Sequence, residues 1–354
     1  MQKVRVKIQL GNIRRNAKRF RTLTKKALCA VVKANAYGHG AEEVVNALNG
    51  EADSFAVAIL EEATQIRLAA AGKDILVFTP PTNREETVYG AWNGFVLTVS
   101  DILTARLVSI VCEETGVPLK VHLKVNTGMN RYGTDVSAVG KICKLLRENP
   151  RVRVEGIYSH LYDTDIQTAK WQRARFLGAL TVCKRYYPNV KAHLSATYGC
   201  LLGEPFVFDG VRVGLGLYGY LPVLGKTEEN GATYLPVLEK GMAVYAKAIS
   251  SRKYAYGGAG YGKVLFTQTP LSLTTCRYGY ADGFLRRREN GLNGAESQMN
   301  ALCMDGCVRG GRLPRGEWIP VMTDADKTAK ETGTIPYEVL CAATRRAEYV
   351  YENE

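Results

Sequence analysis

The 354-residue chain has no uncharged apolar run approaching the roughly 18 residues that a membrane-crossing helix requires. Its first residues, Met1-Gln-Lys-Val-Arg-Val-Lys7, carry charge where a secretory leader would be apolar, so neither a membrane segment nor a leader is expected. Paired cysteine motifs are missing too. The nine cysteines are odd in number, scattered and without a Cys-x-x-Cys pair, which excludes a disulfide framework and points to free thiols in the cytoplasm. Cys303 and Cys307 flank Met304-Asp305-Gly306, but no second pair of ligands lies nearby, so no metal site is expected. Acidic residues are scarce, 34 against 47 Lys and Arg, for a formal net charge of +13. The basic residues sit in short clusters such as Arg14-Arg15, Lys25-Lys26 and Arg286-Arg287-Arg288, with no RNA-binding or zinc-finger signature. Scatter of this kind argues against nucleic acid as a partner and leaves an attraction for small anions.

Apolar residues make up 46% and charged residues 23%, the balance of a folded globular protein long enough for two domains. Short apolar runs recur at Ala27–Val32, Ser54–Ile59, Asp74–Phe78, Gly94–Val99, Leu119–Val125, Val152–Tyr158, Val190–Leu194 and Val211–Val213. Helical stretches separate them, among them Ala41–Leu48, Glu61–Ala71, Asp101–Glu114, Val136–Glu148 and Gln167–Tyr186. Eight strand–helix units predict an α/β fold, a closed (β/α)₈ TIM barrel over residues 1–234, although the first strand could join the second domain. From about Leu235 the texture changes to alternation, as in Met242–Ser250, Leu271–Tyr278, Glu317–Met322 and Glu348–Tyr351. Residues 235–354 are therefore expected to form a smaller, mostly β domain.

In such a barrel the chemistry collects at the C-terminal ends of the strands. Lys33 stands there, directly after Ala27-Leu-Cys-Ala-Val-Val32 and before Ala34-Asn-Ala-Tyr-Gly-His-Gly40. A partly dried amine has a lowered pKa and can form a Schiff base with an aldehyde, whereas a solvated strand-end lysine cannot be told from it by position alone. Lys124 and Arg131 follow the fifth strand, His160 the sixth and Thr197 the seventh, with Arg212 at the eighth.

The motif Val31-Val-Lys33-Ala-Asn-Ala-Tyr37-Gly-His-Gly resembles the pyridoxal-phosphate lysine motif of the alanine racemase family, and five further motifs follow in family order. They are Lys124-Val-Asn-Thr-Gly-Met-Asn-Arg131-Tyr-Gly, Val211-Arg212-Val-Gly-Leu-Gly-Leu-Tyr-Gly219, Gly279-Tyr280-Ala-Asp-Gly283, Cys303-Met304-Asp305 and Thr334-Ile-Pro-Tyr337-Glu-Val-Leu-Cys341. The resemblance implies a Schiff base between Lys33 and pyridoxal 5'-phosphate. Its phosphate would be held by Tyr37, Tyr337, Thr197 and the N–H groups of Gly214 and Leu215, with His160 among the cofactor contacts. Arg212 would face the pyridine nitrogen, oriented by His193. Lys33 and Tyr261 would be the two bases that racemisation needs, one for each face of Cα. In the family the residue matching Tyr261 enters the other subunit's site, which implies a homodimer with shared active sites. Arg131 would hold the cofactor phenol oxygen and the carboxylate of a small amino-acid substrate, which the Met304 N–H would also bind. Lys124, as a carbamate in many relatives, would orient Arg131; Asp165 and Tyr280 would narrow the approach, and Asp305 would stand behind the contacting residues.

Racemisation of alanine to supply D-alanine for peptidoglycan is the reading these residues favour. His193-Leu-Ser-Ala-Thr-Tyr-Gly199 is similar to the serine/alanine racemase branch linked to vancomycin resistance, while Tyr337 keeps the alanine-type residue. A non-catalytic pyridoxal-phosphate-binding barrel would share the lysine motif but has no use for a second domain. Gly257-Gly-Ala-Gly-Tyr-Gly262-Lys263-Val264 has phosphate-loop spacing, yet it ends in Val where magnesium needs a hydroxyl, so nucleoside-triphosphate hydrolysis is disfavoured.

Overall fold

The chain opens with β1 (Val4–Gln9), whose alternating burial places Val4, Val6 and Ile8 inside, and with α1 (Leu10–Thr24), which buries Leu10, Ile13, Ala17 and Phe20. That spacing follows one helical face. The structure, a computed structural model, describes residues 4–222, 231–232, 235–255, 257–259, 265–266, 271–285 and 301–354. Two compact units divide the chain: Ile13–Ala36 with Ala41–Glu239, and Met1–Asn12 with Tyr37–Gly40 and Lys240–Glu354.

The first unit is the barrel. Its eight strands are β2 (Ala27–Val31), β3 (Ser54–Val57), β4 (Ile75–Val77), β5 (Val96–Val99), β6 (Leu119–Lys124), β7 (Val152–Tyr158), β8 (Lys191–His193) and β9 (Gly210–Val213). They pair in parallel in the order β8-β7-β6-β5-β4-β3-β2-β9, and each coincides with an apolar run expected from sequence. Strands covered on both faces are apolar throughout, as Ile75–Val77 and Val96–Val99 are. The β8–β9 seam is bridged by Asp209 N–H to Ala192 O and Arg212 N–H to Ser195 O, both at 2.9 Å. Helices alternate with the strands: α2 (Lys33–Gly38), α3 (Ala41–Leu48), α4 (Leu60–Ile66), α5 (Arg84–Trp92), α6 (Ile102–Thr115), α7 (Val139–Arg147), α8 (Ile166–Tyr186) and α9 (Thr197–Leu201). α6 shows why these boundaries fall where they do: the Asp101 side chain accepts from Thr104 N–H at its start, and Gly116, at φ 70°, ends it.

The second unit centres on a seven-stranded sheet. β10 (Met242–Tyr254), bulged between Ala248 and Ser250, pairs with β1, β13 (Leu271–Cys276) and β16 (Trp318–Met322). β17 (Ala347–Glu352) runs parallel to β1, and β15 (Cys307–Gly310) lies between β13 and β14 (Ala301–Leu302). A short pair, β11 (Gly257–Gly258) with β12 (Leu265–Phe266), stands apart from this sheet. The four expected alternating segments are all strands here. Two short helices, α10 (Ala325–Thr332) and α11 (Pro336–Ala342), interrupt the β texture where none was expected. No helix among the described residues is long and apolar enough to cross a membrane.

Candidate active site

Arg212 sits inside the barrel on β9, only 3% exposed. Its Nη1 donates to His193 Nδ1 at 2.7 Å and His193 O at 2.8 Å, and its Nη2 to Ser159 O at 2.6 Å and Leu194 O at 3.0 Å. A guanidinium can only donate, so His193 Nδ1 carries a lone pair and its proton lies on Nε2, directed at His122 Nδ1 2.9 Å away. His193 is thus fixed as the neutral tautomer. The buried Tyr158 ring stacks on His193 with centroids 5.0 Å apart and an interplanar angle of 2°, its hydroxyl bonded to Thr98 at 2.8 Å. Four of the five guanidinium N–H groups are satisfied. For the fifth, Nε–H, there is no acceptor among the described residues.

The barrel interior is cationic. Burial, then Arg212 and Arg131, hold the Lys124 amine well below its ordinary range. Burial, then Arg212, Lys124, Arg131 and Lys33, do the same to His160. His193 is lowered by burial, then by Arg212, His122 and Lys124, and His122 is lowered to about 4, mostly by burial. Lys124 Nζ lies 5.1 Å from the Tyr158 ring, as a neutral or cationic amine over an aromatic face would. Arg131 stands exposed in the loop after β6, over Tyr132 at 5.1 Å. Thr197 opens α9, and its Oγ1 accepts from Gly216 N–H at 3.2 Å, leaving the hydroxyl hydrogen without an acceptor among the described residues. Gly214 caps the 3-10 turn Leu215–Tyr218 that begins directly after β9. Asp165 is the cap of α8 and accepts from Thr168 N–H at 2.6 Å.

Lys33 begins α2, which is wound left-handed: Ala34, Asn35, Ala36 and Tyr37 have φ between 52° and 54°. Non-glycine residues adopt that region singly, not in series, at about 1–2 kcal/mol each. Around Ala34–Ala36 the turn is over-determined. Ala36 N–H reaches Val32 O at 2.8 Å, Ala34 N–H reaches Glu62 Oε1 at 2.7 Å, and Ala41 N–H reaches Asn35 Oδ1 at 2.8 Å. Strain held this way is typical of a site whose geometry matters.

In the second unit the Tyr337 ring, 36% exposed, lies 6.0 Å from that of the buried Tyr37, and burial raises both phenols, Tyr37 the more strongly. Gly38 O accepts from the Tyr349 hydroxyl at 3.1 Å. Tyr280 and Met304 present side chains to solvent, and Asp305 sits beside Met304 in the turn between β14 and β15. Tyr261 lies outside the described residues.

Residues 8–222 match the family described as alanine racemase, N-terminal domain, and residues 242–351 match its C-terminal domain. The chain belongs to the alanine racemase family. An alanine racemase of Treponema pallidum is 30% identical over 97% of this chain and 98% of its own, and one of Synechocystis is 32% identical over 98% of each. The biosynthetic alanine racemase structure from Pseudomonas aeruginosa, 28% identical, superposes with a TM-score of 0.83 over 99% of this chain and 100% of that one. The alanine racemase of Bartonella henselae, solved with covalently bound pyridoxal phosphate, is 25% identical with a TM-score of 0.84 over 99% of both chains.

Four contributors to this alanine racemase-family site escaped the sequence reading: His122, Tyr158, Ser159 and Glu62. His122 was findable, since it precedes Lys124 by two on one strand and so shares its face. Gly156 is its register partner, and a Cβ there would run into the imidazole. The other three become visible only once β6, β7 and α4 have neighbours.

Proposed function

We propose that the chain interconverts L- and D-alanine with pyridoxal 5'-phosphate, and that D-alanine for peptidoglycan is its output. The observation that supports this reading most is the remaining Nε–H of the buried Arg212 side chain, a donor without an acceptor among the described residues that suits a ring nitrogen. The Thr197 hydroxyl, the N–H groups of Gly214 and Leu215, and the phenols of Tyr37 and Tyr337 suit a phosphate, and His160 completes the cofactor contacts. Bound through Lys33, the cofactor supplies an electron sink that makes the substrate Cα–H acidic. Arg212 cannot release its proton, so it leaves the ring nitrogen unprotonated and keeps that sink weak. Lys33 Nζ takes or returns the proton on one face of Cα, and the Tyr261 oxygen does so on the other. Arg131 and the Met304 N–H hold the substrate carboxylate; Asp165 and Tyr280 line the approach, and Asp305 supports the Met304 turn. Lys124, whose amine burial and then Arg212 and Arg131 hold well below its ordinary range, is disposed to add carbon dioxide with loss of a proton, and the resulting carbamate would anchor Arg131. The protein is proposed to act as a homodimer in which each copy lends Tyr261 to the other.

Circular dichroism of L- and D-alanine with the cofactor-loaded protein tests the reading, with L-serine as the competing substrate. Ellipticity is expected to decay fastest with alanine. Tyr261→Phe should keep the cofactor's absorbance and lose about 10²- to 10⁴-fold in turnover, the range of a missing general base. Faster decay with serine would move the protein to the serine branch, and unchanged turnover in Tyr261→Phe would end the two-base proposal.

A further inference from the structure

Three segments of the second unit carry residues assigned above to the site: the turn Gly279–Gly283 bears Tyr280, the β14–β15 turn bears Met304, and α11 bears Tyr337 and leads to Arg346. Asp282 stands where they meet. Its side chain has no solvent exposure. Oδ2 accepts from Gly279 N–H at 2.9 Å and Arg277 Nη1 at 2.7 Å, and Oδ1 accepts from Arg346 Nε at 2.8 Å. Arg346 Nη2 continues to Asp305 Oδ1 at 2.8 Å, and Arg277 Nη1 also donates to Asp305 O at 3.2 Å. Two aspartates and two arginines balance in charge, with only Asp282 fully dry.

The backbone follows the same pattern. Tyr280 N–H donates to Cys303 O at 3.1 Å and Ala281 N–H to Met304 O at 3.0 Å. A Cβ on Gly279 would overlap the Met304 carbonyl, and one on Gly283, at φ 105°, would overlap the Ala342 carbonyl. The segments approach as closely as glycine permits. A buried carboxylate that loses one partner is left with an uncompensated charge, so the pairs constrain the backbones that present them.

We infer that Asp282 is a positioning residue for substrate recognition: through Arg277 and Arg346 it fixes the Met304 N–H relative to Tyr280, and so sets affinity for the carboxylate of a small α-amino acid without touching it. This rests on the assignment of Met304 and Tyr280 to the substrate. Misplacement of a binding group by a fraction of an ångström weakens binding while the proton-transferring groups stay in place.

The test compares Asp282→Asn with Arg346→Ala, whose guanidinium is partly exposed and which carries the same test should the first variant not fold. Cofactor-loaded Asp282→Asn is expected to raise KM for alanine about tenfold with kcat changed less than about threefold, and Arg346→Ala to do the same more weakly. The double variant should be no worse than Asp282→Asn alone, since the two residues act through one contact. Val244→Ala, a core truncation in β10 that destabilises the unit away from these turns, should leave KM unchanged. Backbone hydrogen exchange gives a readout free of catalysis: Tyr280, Ala281 and Gly283 amides should exchange about tenfold faster in Asp282→Asn while those of β10 do not. Unchanged KM, or additive effects in the double variant, overturns the inference with racemisation intact. Should the unsubstituted protein racemise no alanine, the function proposed above falls, and the exchange experiment alone decides whether Asp282 holds these turns.

Discussion

The chain of donors from Arg212 through His193 to His122 gives each residue one permitted role. His193→Ala removes the acceptor of Arg212 Nη1 and the donor to His122 together, although the His193 carbonyl still accepts from Nη1. The expected cost is about 1–3 kcal/mol in urea unfolding, the range for leaving a buried polar group unsatisfied, together with weaker binding of pyridoxal phosphate by absorbance titration. Unchanged stability and affinity would show that Arg212 is held by the carbonyls alone. Arg212 and His193 were legible because each belongs to a quoted motif at a strand end. Tyr158 was not, because nothing in a strand's own sequence says which ring will stack on the next strand's imidazole.

Among the elements, α2 departs furthest from what its residues prefer. Asn35 tolerates positive φ and caps Ala41 N–H, so Asn35→Ala is expected to lose about 1–2 kcal/mol, the usual cost of removing such a cap. Ala34 is exposed and strained, and Ala34→Gly should instead stabilise by up to about 1 kcal/mol, because glycine accepts φ near 52° freely. Opposite shifts in the urea midpoint of these two neighbours would demonstrate strain in the turn; shifts of the same sign would refute it. The barrel strands were legible as uninterrupted apolar runs, and the second unit's strands as alternation. The handedness of α2 was hidden, since its spacing is that of any helical turn and the bonds that hold the left-handed form, such as those to Glu62 and Val32, come from neighbours. α10 and α11 were hidden for a plainer reason: each is eight residues or fewer, too short for helical periodicity to stand out from strand alternation.

For the whole molecule, buried basic groups tie stability to pH. His122, His160 and His193 have folded pKa values below the roughly 6.5 of an unfolded histidine, so the unfolded chain binds more protons and stability should fall as pH drops through 6.5. Lys124, held well below its ordinary range, acts in the same direction: the unfolded chain binds its proton more readily, so stability should rise with pH toward the ordinary lysine range, by at most about 1.4 kcal/mol per pH unit. Urea unfolding in bicarbonate-free buffer should show that slope, and Lys124→Met should flatten it. An unchanged slope would mean that the barrel does not lower the Lys124 amine. The eight-strand repeat, the change to alternation near Leu235 and the order of the motifs were settled by sequence alone, because burial pattern and chain order are local properties. Which polar groups end up dry, which imidazole nitrogen keeps its proton and how Asp282 joins separated segments through Arg277 and Arg346 were decided by tertiary structure. Desolvation and hydrogen-bond geometry depend on neighbours that the chain brings together only by folding.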